Sequence, residues 1–321
     1  MSINKLFYSL IIGLLVNYSA ISFAQDTSNT TVGELEEIVV TAQRREQNIS
    51  DVSQAVQALS GDDLDELNIT NFEEMITLIP GAIQNSTISH GSNVYSIRGV
   101  AASETDGDAT VGYYLDNFAF SIPGRPYAPV TDLYDTERVE VLRGPSGTLY
   151  GLGSLGGTIK VITKDPVIGE FEGAFKATVS EIDDGDSSYT GDLVINAPIS
   201  DNAAIRAVLS IKDIGGWAEI IPSDQTDGNP YEALTGRLKL LVEPNEKTSV
   251  KFTYWRQDSE QEYANRLTYP SPPAIDNVFG ETFSDYTIYI LDVAYDLGFA
   301  MLESTTGYME NTVISNNGGF I

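Results

Sequence analysis

"ERVEVLRGPSGTLYGLGSLGGTIKVITKDP", residues Glu137 to Pro166, is the stretch on which the reading of this chain turns. Inside it Gly151, Gly153 and Gly156 satisfy G-x-G-x-x-G, the spacing that cradles a dinucleotide pyrophosphate where a strand runs into a helix. Neither flank supplies that context. Upstream, the apolar run Val139 to Leu142 is separated from the glycines by Arg143 to Tyr150, whose Gly-Pro-Ser-Gly core is turn chemistry. Downstream, Thr158 to Lys164 alternates polar and apolar residues and is rich in β-branched side chains, which predicts a strand. No helix N-terminus is placed to receive a phosphate, so the glycines need another explanation.

The chain opens with Lys5, an apolar run from Leu6 to Val16, and Ser22-Phe23-Ala24. This is the pattern of a secretory signal peptide cut after Ala24, because the run falls short of the ~20 residues that a membrane-spanning helix needs. The protein contains no cysteine and a single histidine, His90. Disulfide frameworks, thiolate zinc sites and thiol nucleophiles are thereby excluded, and most His-based catalysis with them. A formal net charge of −28 argues against a nucleic-acid partner, which requires a basic face. No cofactor or resident metal is indicated, and no nucleophile–base pair points to an enzyme.

Residues 25–36 are polar and read as a flexible leader. It ends at Glu37-Ile38-Val39-Val40-Thr41-Ala42, a β-prone segment that reads equally as a tethered strand able to join another protein's sheet edge or as an ordinary first strand. From residue 48 to 166 the pattern is α+β. Helices are predicted from Ser60-Gly61 and over Asn71 to Ile79, where Asn71 is an N-cap and Pro80-Gly81 a stop. Strands are predicted at Tyr95–Arg98, Thr110–Leu115, Arg138–Leu142 and Thr158–Thr163. From 167 to 321 the chain alternates in seven segments: Phe171–Val179, Tyr189–Asn196, Ala204–Ile211, Leu234–Val242, Ser249–Trp255, Tyr286–Tyr295 and Phe299–Tyr308. Short turns at 198–202 and 243–247 alternate with long connections at 214–231 and 257–284. Together with the signal peptide and the aromatic content, this favours a transmembrane β-barrel wall over a soluble sandwich.

Ile79-Pro80-Gly81, Ser96-Ile97-Arg98-Gly99-Val100, Tyr114-Leu115-Asp116 and above all the opening stretch resemble the plug domain of TonB-dependent outer-membrane receptors. Glu37 to Ala42 resembles their TonB box. The resemblance implies an α+β plug followed by antiparallel transmembrane β-strands, here about seven of the roughly 22 such a barrel closes with. Seven strands cannot enclose a plug, so the sequence is expected to be part of a longer receptor and not a working transporter by itself. Within a plug the glycine run becomes a set of tight turns inside a barrel lumen.

The resemblance further implies uptake of a large scarce nutrient. A ferric siderophore or other iron complex leads; carbohydrate, cobalamin or haem, and a secreted ligand-binding module without transport, are the alternatives. It implies TonB as partner, with ExbB and ExbD indirectly, and outer-membrane lipid. Arg98 and Arg143 match plug arginines that pair with wall glutamates. His90, Tyr95, Glu104, Asp106, Asp108, Phe118, Phe120, Arg125 and Tyr127 are the substrate-facing candidates, from loops at the plug apex. A signalling variant would carry a further N-terminal domain of roughly 70–80 residues, within the range of small domains, and the short leader disfavours it.

Overall fold

The computed structural model describes residues 39–41, 43–45, 47–87, 93–102, 107–151, 153–183, 185–220, 225–262, 274–275 and 282–315. The signal peptide and polar leader lie outside them, as do Glu37, Ile38, Ala42, His90, Glu104 and Asp106.

A short hairpin comes first: β1 (Val39–Val40) pairs antiparallel with β2 (Gln47–Asn48). β3 (Ala55–Ser60) leads into α1 (Gly61–Glu66), which begins with a reciprocal capping box between Ser60 and Asp63. α2 (Phe72–Ile76) starts at Asn71, whose Oδ1 accepts from the Glu74 amide at 2.9 Å, and carries Glu73 and Glu74 in its first turn. Capping and acidic N-terminal residues stabilise this helix as the sequence predicts. It ends three residues earlier than Ile79, where tight turns lead to Gly81 at φ +78°.

β4 (Ala82–Thr87) and β5 (Asn93–Ile97) form a second hairpin. β6 (Val111–Leu115), β7 (Phe118–Ala119), β8 (Thr136–Arg143), α3 (Gly147–Tyr150) and β9 (Gly157–Thr163) complete the plug. Its sheet runs β3-β8-β9-β6-β7, with β6 and β9 parallel and the other pairs antiparallel. The G-x-G-x-x-G glycines now have their physical account. The single helical turn α3 ends at Gly151, so the helix precedes the motif instead of leaving it. Gly151 and Gly153 sit at φ +69° and +86°, which only glycine adopts readily.

The wall is one antiparallel sheet in chain order, β10 (Glu172–Glu181), β11 (Ser187–Ser200), β12 (Ala203–Ile214), β15 (Tyr231–Asn245), β16 (Thr248–Gln261), β18 (Thr282–Asp296) and β19 (Met301–Ser315). Between β12 and β15 lie β13 (Ala218–Ile220) and β14 (Gln225–Gly228), and β17 (Ala274–Ile275) pairs with β13 to join two long connections. All seven predicted wall segments are strands, but most are longer than the sequence suggested. β15, β18 and β19 have 15 residues each, or ~50 Å at about 3.4 Å per residue. Even strongly tilted, they overrun an apolar band of ~25 Å, so their ends stand clear of it.

Alternation sorts the faces. Ile205, Leu240, Phe252 and Leu291 form an outward row by strand register, and Leu238, Tyr254, Tyr289 and Tyr308 the next. Toward the long connections the outward row becomes Asp213, Glu232 and Glu260. The opposite face turns Trp255, Tyr286, Ile288 and Ile290 into the same core as Val111, Tyr113, Val139, Val141, Ile159 and Val161 of the plug. Among the described residues no helix is long and apolar enough to cross a membrane.

Candidate functional site

Two constellations stand out: the seam where plug meets wall, and the cradle of β1. The seam is ionic: its cations are on the wall, and its acids are on the plug apart from Glu172 of β10. Arg206 on β12 donates from Nε and Nη2 to Asp135 at 2.9 and 2.5 Å, and from Nη1 to Glu172 at 3.0 Å. Arg237 on β15 adds a 2.9 Å contact to Asp135, also reaches the Asp135 carbonyl at 2.8 Å, and lies 5.2 Å over the Trp255 ring. Lys239 reaches Asp116 at 3.0 Å and Asp165 at 2.8 Å, and Lys251 reaches Asp165 at 2.8 Å. Lys212 closes on Asp132 at 2.9 Å. In the pairs on Asp135, Asp116 and Asp132 both side chains are largely buried, so removing one partner leaves an uncompensated charge and these pairs fix the plug against the wall. Burial alone would raise the Asp116 carboxyl, but Lys239 and Lys251 overcome it and, with the Thr163 amide, hold it down to about 2.

Sequence reasoning missed these wall cations. Their signal was present: Arg206 shares the inward parity of Ala204, Val208 and Ser210, and a charge at that parity demands a counter-charge.

The second constellation holds Val40 and Thr41. Val40 is fully buried among Tyr114, Leu142 and Tyr150. The Thr41 amide donates to Glu140 Oε1 at 2.7 Å, and Lys160 Nζ donates to Thr41 Oγ1 at 2.7 Å. Glu140 and Lys160 face each other on β8 and β9 and are both buried. Arg44 stacks over Tyr114 and Tyr150 at 5.5 and 5.1 Å and donates to the Leu149 carbonyl at 3.0 Å. The Lys160 ammonium is pulled down by desolvation, against the raising influence of Glu140 and Asp116.

The remaining candidates divide. Phe120 is 1% exposed in the plug core and its amide donates to the Tyr113 carbonyl. Phe118 is half-buried, and a Cβ placed on Gly307 of β19 would meet its ring at 2.4 Å. Tyr95 is buried and lines a cavity of about 260 Å³ between α2, the 128–132 strap and the wall. Asp108 and Arg125 are exposed and Tyr127 half-buried; Asp108 Oδ1 accepts from the Gly124 amide at 2.8 Å, tying those two loops together beyond the N-terminal end of β6. Arg98 is exposed at φ +55°, with its amide on the Gly81 carbonyl. Arg143 donates to the Pro80 carbonyl at 3.3 Å, while its Nε is buried with no acceptor among the described residues.

An α+β domain seated by buried ion pairs on the polar inner face of an outward-apolar strand wall, with an N-terminal strand latched to it, defines a plugged membrane barrel. Residues 48–158 match the family described as TonB-dependent Receptor Plug Domain, and the chain as a whole is similar to the plug and adjoining wall strands of outer-membrane receptors. It is 28% identical to the pesticin receptor of Yersinia pestis over 77% of this chain and 35% of that protein. It is 26% identical to an iron-regulated outer membrane virulence protein of Vibrio cholerae, over 78% of this chain and 38% of the relative. The chain thus spans little more than a third of the length of these relatives. Among solved structures it is similar to the ferric yersiniabactin uptake receptor of Yersinia pestis, with TM-score 0.73 and 18% identity over 84% of this chain and 43% of the other. The ferripyoverdine receptor of Pseudomonas aeruginosa aligns with TM-score 0.70 and 17% identity, over 86% of this chain and 37% of the receptor.

Proposed function

We propose that the protein takes part in TonB-dependent uptake of a ferric siderophore or other iron chelate across the bacterial outer membrane. The carrying observation is the cradle of Val40 and Thr41. A β-prone segment held by one buried side chain and a few hydrogen bonds can be given up to a partner's sheet edge, because strand addition replaces the backbone bonds it loses. Glu37, Ile38 and Ala42 complete the segment offered to TonB. ExbB and ExbD supply energy indirectly, and lipid surrounds the outward rows of the wall.

Iron chelates lead because the relatives named above include iron-regulated and ferric-chelate receptors. A relative from Vibrio vulnificus is a vitamin B12 transporter, 26% identical over 72% of this chain, and supports cobalamin as the second reading. The substrate would meet Asp108, Arg125 and Tyr127, with His90, Glu104 and Asp106, before it reaches the seam. Arg143, with its unsatisfied Nε, and the exposed Arg98 are assigned to glutamates of the wall. The role is transport and not catalysis.

The test is uptake by iron-starved cells carrying the receptor expressed from its own gene, with labelled ferric chelates and labelled cobalamin compared with and without TonB. TonB-dependent accumulation of iron supports the reading. Accumulation of cobalamin alone selects the second, and accumulation of neither overturns both.

A further inference from the structure

The two constellations are joined through two adjacent residues. Asp116 and Asn117 form the two-residue loop between β6 and β7, with Asp116 in the left-handed region at φ +50°. Asp116 faces the wall, where its Oδ2 meets Lys239 Nζ at 3.0 Å and its Oδ1 accepts from the Thr163 amide at 2.9 Å. Asn117 faces the cradle, where its Oδ1 accepts from Lys160 Nζ at 3.3 Å. The same ammonium holds Thr41 Oγ1 at 2.7 Å. From Lys239 on the wall to Thr41 the path is continuous, through one turn with little freedom: the Asp116 amide is also fixed to the Val161 carbonyl at 2.7 Å.

We infer that the Asp116–Asn117 turn is a relay that couples the wall strand β15 to the docking of Val39 to Thr41, with Asn117 and Lys160 as positioning residues. If Lys239 lets go of Asp116, the turn can relax from its left-handed conformation. Asn117 then moves off Lys160, and that ammonium loses the partner that aims it at Thr41. Thr41 is also held by Glu140, so the relay weakens the cradle without abolishing it. Shifts at the wall therefore reach the N-terminal segment without rearrangement of the plug core. The inference rests on the proposed function only for its purpose; the coupling is a property of the fold.

Spatial continuity is not coupling, and a double-mutant cycle is the direct test. The chain contains no cysteine, and Val39 is 44% exposed, so a nitroxide on Val39→Cys reports the segment without displacing a core side chain. The receptor expressed from its own gene is placed in lipid without TonB or substrate, and the mobile fraction of the label is measured.

Thr41→Val is expected to raise the mobile-to-docked ratio by about fivefold or more, the lower range of ordinary coupling. Lys239→Met and Asn117→Ala should raise it too, and Lys239→Met should add little once Thr41→Val is present. Asp116→Asn, nearly isosteric, provides a second break at the wall should Lys239→Met fail to fold. Lys212→Met, which breaks a seam pair remote from the turn, should leave the ratio unchanged. The relay is overturned if Lys239→Met and Asp116→Asn leave the label docked while Thr41→Val frees it. It is equally overturned if Lys212→Met frees the label as much, since that would mean general loosening of the plug. Failure of the uptake reading would show in the transport assay and leave these label measurements untouched.

Discussion

Arg206 of the wall and Asp135 of the plug meet as a two-bonded pair, at 2.9 and 2.5 Å, with both side chains 3% exposed. Arg237 converges on the same carboxylate from the neighbouring strand, at 2.9 Å. One aspartate thus satisfies two buried guanidiniums, and the two partners of the pair are not equivalent.

Asp135→Ala leaves Arg237 without a carboxylate and Arg206 with only the half-exposed Glu172, and should destabilise the seated plug by ~3–5 kcal/mol, the usual cost of breaking a buried pair from one side. Arg206→Met leaves Asp135 with Arg237 and leaves Glu172 free to hydrate, so its cost should be smaller. Trp255, under Arg237 in the seam, supplies the readout: urea unfolding followed by its fluorescence should give midpoints in the order wild type, Arg206→Met, Asp135→Ala.

Acid should release the seam late. Burial opposes ionisation of Asp116, but Lys239 and Lys251 win and its folded value lies at about 2, below the ~3.9 of an unfolded aspartate. A carboxylate depressed in this way contributes stability that is fully present above about pH 4 and is lost as pH falls through the folded value. Asp132, depressed by Lys212 and its hydrogen bonds against the same burial, acts in the same direction. Plug seating should therefore be flat from neutral pH to about 4 and fail between about 4 and 2. Lys239→Met should shift that failure to higher pH, as read by Trp255 fluorescence.

The wall was legible because a half-buried strand must alternate, and β11, β12, β15, β16 and β18 do. β8 and β9 were legible from their polar–apolar alternation and from Val139, Val141, Ile159, Val161 and Ile162, although both strands are buried on both faces. β3 was not: Ala55-Val56-Gln57-Ala58-Leu59-Ser60 contains one β-branched residue and becomes a strand by pairing with β8. α3 was hidden because Gly147 begins a single turn between Pro145 and Gly151, where local sequence says only that the chain bends. The seam was half-visible. Asp116, in the plug motif Tyr114-Leu115-Asp116, was singled out, but Asp132 and Asp135 were not; all three sit in turns, and their role as counter-ions emerges only when the wall cations come within reach.

The glycine run offers a graded test of close packing. A Cβ on Gly157 would lie 2.4 Å from the Leu142 carbonyl and 2.7 Å from Ile97 Cδ1. Neither neighbour can withdraw, since Leu142 is in the paired strand β8 and Ile97 is fully buried. Gly157→Ala should cost ~1–3 kcal/mol or more. Gly147 has open space and no left-handed requirement, so Gly147→Ala should be close to neutral. Urea midpoints of the two variants should separate clearly, and equal midpoints would contradict this account of the packing.

Leu291 tests which face of the wall meets lipid. It lies in the outward row with Phe252 and Leu240 and is 43% exposed, whereas its neighbour Ile290 on β18 is 1% exposed against the plug. In a bilayer, Leu291→Arg places a charge in hydrocarbon and should cost ~2–4 kcal/mol if the row lies near the midplane. In a water-facing sheet the same change would be nearly free, since surface substitutions usually stay within about 0.5 kcal/mol. Folding of the receptor into lipid vesicles, followed by its heat-modifiable migration, separates the two. Loss of the folded band for Leu291→Arg, with retention for Leu291→Phe, is the expected result, and full folding of Leu291→Arg would place this face in water.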